Sequence, residues 1–206
     1  MSASNTAEMD RYPGFSSFKT LAPIHYPRRW MRTALIRATL APAVVAMAPC
    51  PTGPHFPPEV DFSFIASTEA GFRYVLITDF TVRQLRLQDE VSFVTVNKAE
   101  VMAQPSAEVL RQIWTCSRVK LGIEDQIAVL GLLANCDKLS IEELIAALGG
   151  KSESSRLILA MVARGLLQLE TDRPLTLSTR VWASTHQPIP RQIGPELEMW
   201  SRMAMA

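Results

Sequence analysis

The sequence is poor in the residues that hold a fold together through covalent bonds or metal ions. It contains three cysteines and three histidines, all widely separated: Cys50, Cys116, Cys136, His25, His55 and His186. A disulfide framework needs paired cysteines, and a zinc site needs cysteines or histidines at short spacing. The sequence therefore predicts no disulfide scaffold, no metal site and no cofactor. Each cysteine is expected to be a small buried side chain in a reducing cytoplasm.

An excess of charge of one sign is also lacking. The 21 Lys and Arg residues nearly balance the 20 Asp and Glu residues, so the formal net charge is +1. This balance would not concentrate phosphate along the whole chain, which excludes a protein that coats nucleic acid by bulk charge. Any contact with nucleic acid must come from local basic clusters. The sequence also has no glycine-rich phosphate loop and no nucleophile elbow.

No apolar run is long enough to cross a bilayer, and no membrane partner is expected. The main candidate, Ala38–Cys50, follows the basic segment Arg28–Arg32 and resembles the hydrophobic part of a signal peptide. About thirty residues precede this segment. Secretion is therefore an alternative only if Met31 is the true start. The stretch from Arg28 to Ala48 is instead expected to be helical on both sides of Pro42.

Composition and periodicity divide the first half of the chain into two segments. Residues 1–59 are expected to form an extended arm, a helix and a proline-rich linker. Residues 60–104 are expected to form a small α/β element, because short runs of β-forming residues alternate there with a helical pattern. Its predicted parts are strands at Val60–Ile65, Phe72–Thr78 and Val91–Val96 and a short helix at Thr81–Glu90. The Phe72–Thr78 run is apolar enough for a strand covered on both faces.

Residues 105–182 are predicted to form a helical linker and a winged helix-turn-helix, followed by a C-terminal tail at 183–206. The first part is a helix capped by Ser106, in which Val109, Leu110, Ile113 and Trp114 recur at the three- and four-residue spacing of an apolar face. The predicted winged helix-turn-helix begins with a helix at Ile123–Cys136, whose Ile127, Leu130 and Leu133 face the core. A second helix is started by the capping box Ser140–Glu143 and ended by Gly149-Gly150. A third helix at Ser152–Arg164, ended by Gly165, is followed by a hairpin of Leu166–Glu170 with Leu175–Val181. The expected fold class is thus α+β.

The predicted third helix and wing offer six candidate DNA-binding residues: Lys151, Ser152, Ser155, Arg156, Arg173 and Arg180. Lysine and serine side chains suit phosphates, whereas reading of base edges uses Arg, Asn or Gln, and only Arg156 on this helix meets that need. Acidic residues nearby in the sequence reduce the positive electrostatic potential of this region. The same module could instead bind protein, with its charges exposed to solvent.

The stretch Ala70–Arg83, which reads Ala-Gly-Phe-Arg-Tyr-Val-Leu-Ile-Thr-Asp-Phe-Thr-Val-Arg, resembles a junction found in TnsA-like transposon endonuclease subunits. The likeness covers roughly residues 60 to 182. It implies a nuclease core in which two acidic residues hold Mg²⁺ and a lysine activates water. Pro58-Glu59-Val60-Asp61 matches the Pro-Asp step loosely, but no Glu-x-Lys follows before Phe72. Glu59 and Asp61 are therefore expected to be surface carboxylates.

These observations favour a non-catalytic, cytoplasmic protein that docks on DNA or on a DNA-bound complex, with other protein subunits as partners and a link to a mobile element. One alternative is a Mg²⁺-dependent DNA endonuclease with a divergent active site. A second alternative is an adaptor that binds proteins but not DNA. It would bind its partners through the winged helix and a basic, aromatic N-terminal segment consisting of Tyr26, Arg28, Arg29, Trp30 and Arg32.

Overall fold

The computed structural model describes residues 12–50, 56–79, 92–150 and 153–184. The fold is mixed, with helices and several β-sheets, which confirms a protein built from both kinds of element. The chain divides into two compact units, residues 1–102 with 189–206 and residues 103–188. The sequence-based boundary near residue 59 lies inside the first unit, while the one near residue 104 lies close to the division. Within the described residues, no helix is both long enough and apolar enough to span a membrane.

The first unit contains six described strands and two described helices. They are β1 (Gly14–Phe15), β2 (Ile24–His25), α1 (Met31–Leu40), β3 (Val44–Pro49), β4 (Phe62–Thr68), β5 (Gly71–Thr78), β6 (Phe93–Asn97) and α2 (Lys98–Val101). β1 and β2 pair with each other, and the larger sheet has the order β3-β4-β5-β6. The β3/β4 and β4/β5 pairs are antiparallel, whereas β5 and β6 are parallel.

Large apolar side chains of the central strands and of α1 form the core of this unit. Phe64, Leu76, Ile77, Met31 and Leu35 are almost completely inaccessible to solvent. All three predicted strands are present, as β4, β5 and β6, although β4 and β6 begin slightly later than expected. β5 is buried only toward its end, because its first three residues are exposed. The prediction that both of its faces are covered therefore holds for Leu76–Thr78 alone.

The residues after Pro42 form a strand, so the prediction of a second helix there is wrong. β3 pairs along its length with β4, and its Ala46 and Met47 are buried. The short apolar run fits either a helix or a strand, and pairing with β4 decides the outcome. The apolar run that resembles part of a signal peptide thus contributes to the core. The helix predicted at Thr81–Glu90 lies outside the described residues.

The second unit contains four described helices and three described strands. They are α3 (Ser106–Thr115), α4 (Ile123–Asn135), β7 (Leu139–Ser140), α5 (Ile141–Ala147), α6 (Ser154–Ala163), β8 (Leu167–Leu169) and β9 (Arg180–Ala183). The strands form one antiparallel sheet of order β7-β9-β8. In α3, three residues of the predicted apolar face, Val109, Leu110 and Ile113, are buried, whereas Trp114 is half-buried. Ser106 is the first helical residue rather than the cap, since Pro105 occupies that position.

The start and end of α5 agree with the sequence prediction. The Ser140 hydroxyl accepts the Glu143 backbone N–H at 3.2 Å, and the Glu143 carboxylate accepts the Ser140 backbone N–H at 2.6 Å. This reciprocal capping box satisfies two amides that the first helical turn leaves unpaired. Gly149 and Gly150 follow with φ of 81° and 66°. Glycine adopts this left-handed conformation without steric cost, so the helix ends where the glycine pair begins.

Three details of the second unit differ from the prediction. Ile127 is 66% exposed instead of facing the core, where Val129 and Leu133 lie. The second hairpin strand begins at Arg180 rather than at Leu175, and the residues before it form a turn. β7 was not predicted, because two residues are too few for a visible alternation. Cys50 and Cys116 are buried as expected, whereas the prediction of a buried Cys136 is wrong.

Candidate nucleic-acid interface

The helix predicted to contact DNA, α6, is anchored by its apolar side. Ile158, Met161 and Val162 are buried, and the helix is followed by Gly165, whose φ is 73°. α6 packs against α3, α5 and β8 within the second unit. Its orientation is therefore set by the core, and its residues that are not buried are Ser155, Arg156, Leu157 and Leu159, of which only Arg156 is fully exposed. Lys151 and Ser152, two of the six candidate DNA-binding residues, lie outside the described residues.

Arg156 is exposed on α6 but is held by an acidic neighbour. Its Nη1 donates to Glu153 Oε2 at 3.1 Å, and both side chains are more than half exposed. An exposed pair of this kind contributes only about 0–1 kcal/mol. It nevertheless places a negative charge beside the one arginine of this helix predicted to reach base edges. Ser155, the preceding residue, is half-buried.

Arg180, at the start of β9, is also paired with a carboxylate. Its Nη1 donates to Glu143 Oε2 at 3.2 Å. The same carboxylate accepts hydrogen bonds from the backbone N–H and the hydroxyl of Ser140, and these bonds together with Arg180 lower the pKa of Glu143. The carboxylate therefore remains ionised, and it neutralises Arg180 while capping α5.

Arg173 lies in the connection between β8 and β9 and is exposed. It forms no hydrogen bond or ion pair with any residue that the structure describes. The connection is ordered by its own turn, in which Thr176 N–H donates to Thr179 Oγ1 at 2.9 Å and Thr179 N–H donates to the Thr176 carbonyl at 3.1 Å. Among the four described candidates, Arg173 is thus the arginine that forms no ion pair with a described residue.

Ser154 has an environment that the sequence interpretation missed. It is the first residue of α6, it is 0% exposed, and its Oγ has no hydrogen-bond partner. The helical spacing could have indicated its burial, because Ser154 precedes the buried Ile158 by four residues and Met161 by seven. The ion-pair partners of Arg156 and Arg180 were also missed. None of the described contacts joins two of the candidate DNA-binding residues to each other.

A second polar cluster lies in the first unit, where β4 begins and β5 and β6 end. Arg28 donates to Asp79, and its Nη2 lies 3.3 Å from Asp61 Oδ1. Lys98 Nζ lies 3.4 Å from Asp79 Oδ1 and 5.8 Å from the centre of the Trp30 ring. Asp61 Oδ2 also accepts the Asp79 backbone N–H at 2.7 Å. Both carboxylates therefore already have cationic partners.

This cluster bears on the two carboxylates that the sequence resemblance singled out. Glu59 is exposed, as expected of a surface carboxylate. Asp61 is only partly exposed and joins three segments of the first unit through Arg28 and Asp79. Within the described part of the chain, no group of three or more His, Cys, Asp or Glu side chains could hold a metal ion.

Comparison of the chain with protein-family models, with curated proteins and with solved structures finds no match.

Proposed function

We propose that the second unit is a winged helix-turn-helix and that it docks the chain on DNA or on a DNA-bound partner without catalysing a reaction. The observation that carries this proposal is the order of elements, in which α4, β7, α5 and α6 are followed by β8 and β9. The three strands form one antiparallel sheet with β9 in the middle. In a winged helix, the helix after the turn is the recognition helix, and the hairpin that follows it is the wing.

On this reading, α6 enters the major groove and the connection between β8 and β9 reaches the sugar-phosphate backbone. Arg156 is then directed to the groove, while Arg173 contacts phosphate at the wing. Lys151, Ser152 and Ser155 would add phosphate contacts at the start of α6. This set positions a protein on the duplex but reads few bases, because phosphate contacts carry no sequence information.

The charge of the second unit favours weak docking over autonomous binding. Residues 103–188 contain nine Lys or Arg and nine Asp or Glu, so their formal net charge is zero. Binding would therefore rest on a few arginines, two of which are paired with glutamates. Three phosphate contacts correspond to a slope of about −2.7 in a plot of log affinity against log salt concentration. Such a module binds a duplex only weakly by itself, and a partner subunit would strengthen its binding, as the resemblance to transposon endonuclease subunits also suggests.

The proposal is tested by comparing Arg173→Ala with Arg118→Ala in the full chain. Both arginines are exposed and have no ion pair among the described residues, but Arg118 lies in the connection between α3 and α4. Fluorescence anisotropy with a labelled duplex should show weaker binding by Arg173→Ala and a salt slope reduced by about 1. Arg118→Ala should bind like the wild type. Equal effects of the two substitutions, or no effect of either, would refute docking through the wing.

A Mg²⁺-dependent endonuclease is the second candidate, because Asp61 and Asp79 are adjacent. The donor set does not fit a metal site, since Arg28 and Lys98 neutralise these carboxylates and no further acidic ligand joins them among the described residues. We therefore expect no nicking of plasmid DNA in the presence of Mg²⁺. Nicking that Asp61→Ala abolishes without unfolding the protein would instead establish the endonuclease. Failure to retain DNA, with a fixed protein co-purifying, would favour the protein-only adaptor.

A further inference from the structure

The four-stranded sheet of the first unit has two edges, and its β3 edge is protected against pairing with a further strand. On the outer side of β3, Met47 donates to the Lys19 carbonyl at 2.8 Å, and its own carbonyl accepts the Leu21 backbone N–H at 2.9 Å. Pro49, at the end of the strand, has no N–H to donate. The register of β3 against β4 also shifts near its start. A covering segment, a proline and a bulge are three devices that prevent edge-to-edge pairing of sheets.

The β6 edge carries none of these devices among the described residues. The strand Phe93–Asn97 reads Phe-Val-Thr-Val-Asn, without proline or charge, and it pairs with β5 in an unbroken register. No segment that the structure describes pairs with its outer side. β6 has five residues, whereas the described edge strands of the two other sheets have two or three. β6 is thus the one described edge that is both long and unprotected.

The outward backbone groups of β6 belong to Phe93 and Thr95. Tyr74, which faces Phe93 in the parallel ladder, donates to the Ser92 carbonyl at 3.0 Å. Alternate residues of a strand bond to the same neighbour, so Val94 bonds toward β5, while Phe93 and Thr95 point away from it. Their N–H and C=O groups form no hydrogen bond with a described residue. These groups are the ones that an added strand would pair with.

We propose that β6 pairs with β6 of a second copy of the chain, antiparallel and centred on Val94. In this register Phe93 of each protomer faces Thr95 of its partner and exchanges two hydrogen bonds with it, so every free N–H and C=O of the two residues is used. Val94 faces its own copy at a position without hydrogen bonds. The neighbouring register, centred on Thr95, would need the Asn97 N–H, which already donates to Glu100 Oε2 at 2.9 Å.

The chemistry of the edge favours a second copy as the occupant. Free backbone groups at the spacing of a strand are matched by another extended chain. A twofold axis through β6 brings no like charges together on the strand, because β6 carries no charge. It also covers Val94, which is 40% exposed, with the same side chain of the other protomer. Pairing of β6 with β3 of another copy is prevented because the outer side of β3 is occupied. The assembly therefore closes as a dimer instead of growing into a fibre.

The length of β6 sets the expected strength of the dimer. A strand of five residues is about 17 Å long. One edge of this length buries less than the roughly 800 Å² per partner of a standard interface. The dimer is therefore weak and depends on concentration. It does not rest on the proposed DNA docking, because all the candidate DNA-binding residues lie in the second unit.

Sedimentation velocity of the full chain over a range of concentrations tests the proposal. Val94→Lys should raise the dimer dissociation constant by about tenfold or more, because two like charges then face each other across the axis. Val94→Thr keeps the β-branched shape and should stay within about threefold of the wild type. Ile123→Lys makes the matched exchange at a residue of the second unit that is 73% exposed, and it should have no effect. A wild type that is monomeric throughout, or an equal loss in Ile123→Lys, would overturn the proposal.

Cysteine cross-linking tests the register independently of affinity. In a background of Cys136→Ser, which removes the exposed thiol, Val94→Cys should form a disulfide-linked dimer on mild oxidation. The Cα atoms of such a facing pair lie about 4.5 Å apart, within the range of a disulfide. Ser92→Cys should not cross-link, because its own copy would lie four residues, or about 13 Å, along the partner strand. Cross-linking of Ser92→Cys, alone or together with Val94→Cys, would overturn the antiparallel register, and cross-linking of neither would exclude β6 as the dimer contact.

Discussion

If the second unit docks on DNA as proposed, Glu153→Gln should strengthen binding, because it releases Arg156 on the proposed recognition helix α6. In the wild type, Glu153 holds Arg156 in an exposed ion pair of 3.1 Å. Glutamine keeps the size of the side chain but removes its charge. Arg156 can then turn toward phosphate or a base edge, and the repulsion between Glu153 and the DNA backbone disappears at the same time.

The size of this effect follows from the exposure of the pair. Both side chains are more than half exposed. Breaking such a pair costs no more than about 1 kcal/mol. One additional phosphate contact should make the slope of log affinity against log salt more negative by about 0.9. At about 50 mM salt we expect a gain in affinity of about fivefold to tenfold, equivalent to about 1–1.4 kcal/mol.

The structure provides a matched control for this substitution. Glu108 and Arg111 on α3 form an ion pair of 2.7 Å at the same spacing of three residues and with similar exposure. Glu108→Gln removes the same charge from the same unit, but on α3 and beside Arg111 rather than beside Arg156. Both variants and the wild type should be titrated with one labelled duplex at several salt concentrations. An equal gain for Glu108→Gln would show a general charge effect, and no gain for Glu153→Gln would refute the role assigned to Arg156.

Three further predictions concern stability. Ser154 carries a buried hydroxyl that has no partner, so Ser154→Ala should stabilise the second unit by about 1 kcal/mol in urea unfolding. Ser140 caps α5, so Ser140→Ala should destabilise the same unit by about 1 kcal/mol. Burial lowers the pKa of Lys19 from 10.5 to about 8. Between these two values the folded state binds fewer protons than the unfolded state, so stability rises with pH there. The unfolding free energy of the wild type relative to Lys19→Met should therefore rise across that window, and a constant difference would contradict this assignment.

Features that depend on neighbouring residues could be predicted from the sequence. The capping box needs only Ser140 and Glu143 at a spacing of three, and the end of α5 needs only the glycine pair. The strands β4 to β6 are visible because several β-forming residues follow one another. These signals are local, and the structure retains them with shifts of a few residues.

Features that depend on distant pairing could not be predicted. Periodicity gives the spacing of the apolar residues in α4, but a helix that is apolar on several sides does not show which side packs inward. The core therefore contains Val129, while Ile127 is exposed. The partners of Arg28 are 33 and 51 residues away, and Arg180 pairs across 37 residues with Glu143. No sequence pattern indicated these ion pairs, although they decide which basic side chains remain available.

The central claim is that the second unit docks on duplex DNA without cutting it. Its most direct test is the affinity of the wild-type chain for a labelled duplex from about 50 to about 200 mM salt, measured in Mg²⁺ and in EDTA, with the DNA then checked for breaks. We expect binding at the lowest salt concentration, a log–log slope of about −2 to −3 in EDTA that becomes shallower in Mg²⁺ because Mg²⁺ competes for the same phosphates, and intact DNA in both conditions. No binding at low salt, or strand breaks that appear only with Mg²⁺, would contradict the account.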